Sequence, residues 1–174
     1  MKKIILILLT LVTMSLIYKE TKPEAIIIPS SAIRLRVIPN SNSSFDQKMK
    51  NKVKKYLEEN TYQLLQDVTD IELARELIKN NIPTLKENIN NIFDNNNYDV
   101  PYQIDYGYNY FPDKEYRGVK YEEGYYESIV ISIGKAEGDN WWCVLFPNLC
   151  MVDLKEKNDI EYKSWVSEII NKIF

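Results

Sequence analysis

The 174-residue chain contains no histidine at all, and that absence removes more chemistry than any other feature of the sequence. Without the side chain that titrates unperturbed near neutral pH, Ser-His-Asp and Cys-His catalysis and histidine zinc sites cannot be assembled within the chain. Cysteine is nearly absent too, with two residues, Cys143 and Cys150, where a thiolate-only zinc site needs four. Glycine is scarce, five in all, and none falls in a phosphate-cradling or dinucleotide-binding pattern. No metal and no cofactor is therefore expected. The net charge is −3, and no basic patch interleaved with aromatics occurs, so nucleic acid has no electrostatic footing. What remains is 45% hydrophobic residues, enough for the core of one domain.

Two lysines, Lys2 and Lys3, precede an uncharged fifteen-residue stretch from Ile4 to Tyr18. As a helix at about 1.5 Å per residue it spans roughly 22 Å, short of the ~30 Å hydrocarbon core, which suits a signal peptide or signal anchor over residues 1–18. No small-x-small cleavage site follows. Residues 19–31, with Pro23 and Pro29 and no period, read as a tether, and residues 32–174 as a single exported domain. Membrane contact is expected through the leader only.

Ile33, Leu35 and Val37 alternate with Arg34 and Arg36, the pattern of a strand with one buried face that Pro39-Asn40 ends. Ser44 with Gln47 reads as a capping box, and Phe45, Met49, Val53, Tyr56, Leu57 and Leu64 recur on one helical face whose lysines are solvated. A second box, Thr69 with Glu72, opens a helix through Leu73, Ala74, Leu77 and Ile78. Pro83 is expected to kink or restart it before Leu85, Ile89, Ile92 and Phe93. Tyr102, Ile104, Tyr106, Tyr108 and Tyr110 then alternate with polar residues. Their tyrosine face either packs on the helices or docks a partner. After a connection from Pro112 to Gly124, Ile129, Ile131 and Ile133 mark a strand, and Trp141 to Phe146, apolar on both faces, predicts an inner strand with one indole facing each way. Tyr162, Trp165, Val166, Ile169, Ile170 and Ile173 form an amphipathic helix that packs on the domain, since its polar side has few lysines. The order β-α-α-β-β-β-α predicts an α+β fold: a small antiparallel or mixed sheet of about four strands, helices packed on one face, and a C-terminal amphipathic helix.

Gly138 to Cys150, reading GDNWWCVLFPNLC, gathers two tryptophans and both cysteines into thirteen residues. In an exported protein Cys143 and Cys150, flanking the turn-forming pair Pro147-Asn148, default to a disulfide. Two reduced core thiols are the alternative, and redox catalysis would need a Cys-x-x-Cys spacing that is missing. Glu115, Glu122, Glu123 and Glu127 lie near aromatics, as carboxylates do in glycoside hydrolases, but their spacing specifies no pair. They read as solvated acids, with Glu127 placed to pair with Arg34 or Arg36 across the sheet.

Several pieces, in order, resemble the stage II sporulation protein R family of endospore-forming bacteria. They are Ile33 to Ser41 with Asp46-Gln47, then Asn109-Tyr110-Phe111-Pro112, then Gly124-Tyr125-Tyr126-Glu127, and last Asn140 to Pro147 with Leu149-Cys150. Pro39 stands where the family more often has alanine, and Asn148 where it has a second proline. The resemblance implies a signalling protein and not an enzyme. Such a protein is made in the forespore, exported into the space between forespore and mother cell, and activates a membrane-embedded aspartic protease of the mother cell. The protease then processes the precursor of the early mother-cell sigma factor. Asn40, Ser41, Asp46, Pro112, Gly124, Glu127, Asn140 and Pro147 are the matching motif residues, and Trp141, Trp142, Phe146, Tyr110, Phe111 and Tyr126 the candidate partner contacts. The alternatives are an exported cell-wall domain that binds or hydrolyses glycan with these aromatics and acids, and a purely structural exported protein.

Each charge in an apolar leader costs roughly 2.5 to 3.5 kcal/mol on insertion scales. Leu8→Arg with Leu9→Arg should therefore hold the protein in the compartment that makes it, as cell fractionation would show; normal export of that variant would refute the leader.

Overall fold

The structure is a computed structural model that describes residue 3 and residues 26–116, 119–150 and 159–174. The leader stretch from Ile4 to Tyr18 lies outside the described residues. Short strands β1 (Ile26–Ile27) and β2 (Ile33–Ile38) lead into helices α1 (Ser44–Leu65) and α2 (Ile71–Asp94). Strand β3 (Tyr102–Phe111), a hairpin of β4 (Lys114–Tyr116) and β5 (Val119–Tyr121), β6 (Gly124–Ile133), β7 (Trp141–Phe146) and helix α3 (Asp159–Ile173) complete the order. The α+β expectation holds.

Strand β2 is the axis of a four-stranded mixed sheet ordered β3-β6-β2-β7, running parallel to β6 and antiparallel to β7. Its period of two sends Ile33, Leu35 and Val37, all fully buried, toward α1 and α2. Met49, Val53, Leu57 and Leu65 from α1 and Ala74, Ile78, Leu85, Ile89 and Phe93 from α2 meet them in the main core. Phe45, placed in that stripe by its spacing, is instead 47% exposed, edge-on to Tyr98.

Both helix starts are offset from the expected boxes by one residue. Ser43, not Ser44, is extended and accepts the Asp46 N–H, and Asp70, not Thr69, accepts the Leu73 N–H. Adjacent capping residues make this register hard to read from sequence, since the cap is whichever one the incoming chain leaves extended. Pro83 does not restart the second helix: α2 is one element from Ile71 to Asp94. A proline in a helix interior costs about 3 kcal/mol. Ile78 before it and Leu85 and Ile89 after it, buried in the same core, hold the two halves in one element.

The opposite face of the sheet is covered as well, which the alternation of β2 did not suggest. A three-stranded sheet, ordered β1-β5-β4, and α3 close over it. Ile28, Ala32, Val119, Val144, Leu149 and Val166 form this second core, with Ile169 and Ile170 packed against it. Residues 26–28, read as tether, thus belong to the folded layer, with β1 parallel to β5, and the connection after Pro112 carries the β4–β5 hairpin. The second layer also corrects the position of β7. Among the described residues it is an edge strand, apolar on both faces because each face has its own cover. Helix α3 packs through Val166 on this layer; the side chains of Tyr162 and Trp165 lie outside the described residues. Among the described residues no helix is long and apolar enough to cross a membrane.

Beyond β7 the chain turns at Pro147-Asn148, the Leu149 N–H returns to the Val144 carbonyl at 3.1 Å, and Cys143 and Cys150 join in a disulfide with their Cα atoms 5.4 Å apart. Closing so short a loop is worth about 2.5 kcal/mol in the chain-entropy model. Serine at both positions should lower the melting temperature measured by circular dichroism, and an unchanged transition would show that the bond contributes nothing.

Candidate functional site

The motif residues Asn40, Ser41 and Asp46 meet at the start of α1. Asp46 is buried and accepts from Asn40 Nδ2 at 3.0 Å, from the Ser41 hydroxyl, and from the Tyr98 hydroxyl at 2.6 Å. Burial alone would raise its pKa, but the hydrogen bonds from Ser41, Tyr98, Asn40 and Ser43 outweigh it and hold the carboxyl at about 2. Tyr98 is pushed up correspondingly, by burial and by the facing carboxylate. Asn40 reaches further: its Oδ1 accepts the Lys135 N–H at 3.0 Å, and its carbonyl accepts from Glu137. The turn between β6 and β7 is thereby tied to the end of β2. A Cβ at Gly134, where φ is +57°, would lie 2.2 Å from Asn40 Oδ1, so the turn requires glycine on both conformational and steric grounds. Asn140, in the same turn, is exposed, and its neighbour Asp139 accepts from Lys50 through its carbonyl at 2.9 Å.

A second pin joins α2 to the sheet. Glu127 is buried on β6, where Arg75 grips it through Nε at 2.9 and 3.1 Å and through Nη2 at 2.9 Å, and the Tyr106 hydroxyl donates to it as well. The expected pairing with Arg34 or Arg36 does not occur. Glu127 faces the helices, whereas strand alternation sends those arginines to the opposite face. Gly124 starts the same strand at φ +155°, with the Tyr126 ring 3.3 Å from where a Cβ would sit.

On that opposite face Arg34 is 1% exposed, its guanidinium 3.4 Å from the centroid of Tyr126 and within 6 Å of Phe111 and Tyr121. Among the described residues no well-formed hydrogen bond reaches its side-chain nitrogens, and burial lowers its pKa, an effect that Tyr126 and Tyr121 partly oppose. Arg36 lies 5.0 Å from the Phe111 ring, Trp142 meets Phe111 edge-on, and Lys114 caps Trp142 at 5.0 Å. Phe111, Tyr126 and Phe146 are thus buried core and cannot serve as contact residues in this fold, and Pro147 is buried beside Phe146. The indoles do face opposite ways. Trp141 packs half-buried on the helix-side core under Lys54, and Trp142 half-buried in the arginine stack. Pro112 is exposed between β3 and β4.

Of the six candidate contacts, Tyr110 remains the exposed one, at 47%, and the structure adds two more: Tyr108 at 72% and Tyr125 at 71%. The tyrosine strand is divided along its length between a packed part and an exposed part. Tyr102 and Tyr106 pack toward α2, the former donating to the Lys86 carbonyl and the latter to Glu127, while Tyr108 and Tyr110 stand clear. Tyr110 and Tyr125 meet edge-on at 5.7 Å, and the Tyr110 hydroxyl donates to Glu123 at 3.3 Å. Tyr125 was legible as Glu127's neighbour but one on the same strand face; Arg75 and Tyr98, each 52 residues from its partner, carried no local signal. Among the described residues no group of three or more metal-ligating side chains converges.

A mixed sheet layered on both sides, pinned by two buried carboxylates and ending in exposed tyrosines, defines a small two-cored α+β domain whose best-developed surface feature is aromatic. The model of the family "Stage II sporulation protein R (spore_II_R)" matches residues 29–156, and the chain belongs to this family. It is 34% identical over 149 residues to the stage II sporulation protein R of Bacillus subtilis (strain 168), a match spanning 82% of this chain and 66% of that relative. No solved structure matches it.

Because the folded-state pKa of Asp46 lies below its unfolded value, its stabilisation is complete above about pH 4 and is lost as pH falls through about 2. Asp46→Asn should cost about 2 to 3 kcal/mol at neutral pH, since the hub loses its charge and one of its two acceptor oxygens, whose place is taken by an NH2 facing other donors. It should also flatten the acid limb of a stability-versus-pH profile measured by urea denaturation; an acid limb as steep as wild type would place the titrating group elsewhere.

Proposed function

We propose that this protein is the forespore-made signal of its family, exported to the space between forespore and mother cell, where it activates a membrane-embedded aspartic protease that processes the sigma-factor precursor. The observation that carries this reading is the family match across 29–156, which spans every motif piece and both pinned carboxylates. The exposed tyrosines support it, because tyrosine buries large area at low entropic cost when a protein partner covers it. Activation then requires that the domain bind the active form of the protease more tightly than the inactive one, for example by bridging its dimer. The glycan-hydrolase alternative is weakened by the acids themselves. Of the four acids near aromatics, Glu127 is occupied by Arg75 and Tyr106, Glu122 pairs with Lys120, and Glu123 accepts from Tyr110, so three already have partners in the fold.

Co-expression of the full chain, the candidate protease and the sigma precursor in a non-sporulating host tests the assignment. Precursor cleavage on an immunoblot should need both the chain and the protease; cleavage indifferent to the chain would overturn it.

A further inference from the structure

Helix α2 covers the sheet only as far as Glu127, where Arg75 in its first turns grips the strand. Beyond that point β3 and β6 run on with Tyr108, Tyr110 and Tyr125 uncovered on one face, the register setting Tyr108 opposite Glu127 and Tyr110 opposite Tyr125. Strand β3 is also an edge: among the described residues it pairs with β6 alone, so alternate backbone N–H and C=O groups point outward. Its ten residues, YQIDYGYNYF, include no lysine, arginine or proline, the residues that ordinarily guard an edge against strand addition. The Tyr110 carbonyl is contacted by Arg36 at 3.4 Å, so the open stretch is the part of the strand before it.

The rim is acidic. Glu123 holds the Tyr110 hydroxyl and, with Asp113, raises its pKa, and the Glu72 carboxylate, 76% exposed, flanks Arg75. Among the described residues, Arg75 is neutralised by Glu127 and Glu72, Lys79 lies over Tyr106 at 5.7 Å, Lys120 pairs with Glu122, and Arg36 and Lys114 lie on the other face against Phe111 and Trp142. Cationic side chains would meet both the tyrosine faces and the rim.

We propose that the free edge of β3, with Tyr108, Tyr110 and Tyr125, is a docking site for an extended lysine- or arginine-rich segment of a partner protein, taken up as an added strand. Its identification with a segment of the protease rests on the signalling function above; the site's chemistry does not. The test titrates the ¹⁵N-labelled full chain, in neutral detergent, with a synthetic peptide of alternating lysine and threonine and with its glutamate–threonine counterpart. The lysine peptide should shift amides of 102–111 and 123–127, weaken with salt, bind the Tyr108→Phe/Tyr125→Phe chain and fail to bind the equally stable Tyr108→Ala/Tyr125→Ala chain. Shifts elsewhere, equal binding of both peptides, or a dimer in sedimentation that the alanine pair dissociates would overturn the site. In the co-expression assay the alanine pair should lower precursor cleavage about tenfold at unchanged chain level. Full cleavage with peptide binding abolished would uphold the basic-segment site while separating it from the protease, so the two failures are distinguishable.

Discussion

Taking the Arg34 guanidinium out of water costs several kcal/mol, and among the described residues no well-formed hydrogen bond to its nitrogens offsets it. Aromatic faces are what remains to stabilise it: Tyr126 at 3.4 Å, with Phe111 and Tyr121 further out, where a desolvated cation–π contact is worth about 2 kcal/mol. Those rings come from β3, β5 and β6. Phe111 and Tyr126 belong to the same sheet as β2 and Tyr121 to the small sheet laid over it, so the layer that takes Arg34 out of water also supplies one of the rings around it, and one buried cation touches both layers. Arg36 and Trp142 extend the same stack to the edge strand.

With the far face so covered, the helix face is held by two carboxylate pins of similar construction. Asp46 gathers Asn40, Ser41 and Tyr98 at one end of the sheet, and Glu127 gathers Arg75 and Tyr106 toward the other. Each joins groups far apart in sequence, and each sets where a helix stops covering the strands. The tyrosine end is exposed because the second pin lies where α2 begins. Surface and scaffold are thus linked through Glu127.

Most residues that carry the family resemblance turn out to hold the fold. Asn40, Ser41, Asp46, Gly124, Glu127 and Pro147 are pins, turns or core, and Phe111, Tyr126 and Phe146 are buried rings. Matching them identifies the scaffold. The exposed face has to be found from burial, and there Tyr108 and Tyr125 stand out while Trp141 and Trp142 are half-buried.

The sequence by itself determined the inward faces of the main elements, with period two at Ile33, Leu35 and Val37 and period 3.6 at Met49, Val53 and Leu57 and again at Ala74, Ile78, Leu85 and Ile89, and its spacing made the Cys143–Cys150 bond the default of two readings. Those are local properties, set by spacing along a few turns or one short loop. Tertiary structure alone decided that Arg34 is buried, that Glu127 takes Arg75, that β7 is an edge, and that the tyrosine strand is half covered and half bare. Periodicity reports which way a side chain points. What waits on that side is supplied by residues far along the chain, and no local pattern encodes their arrival.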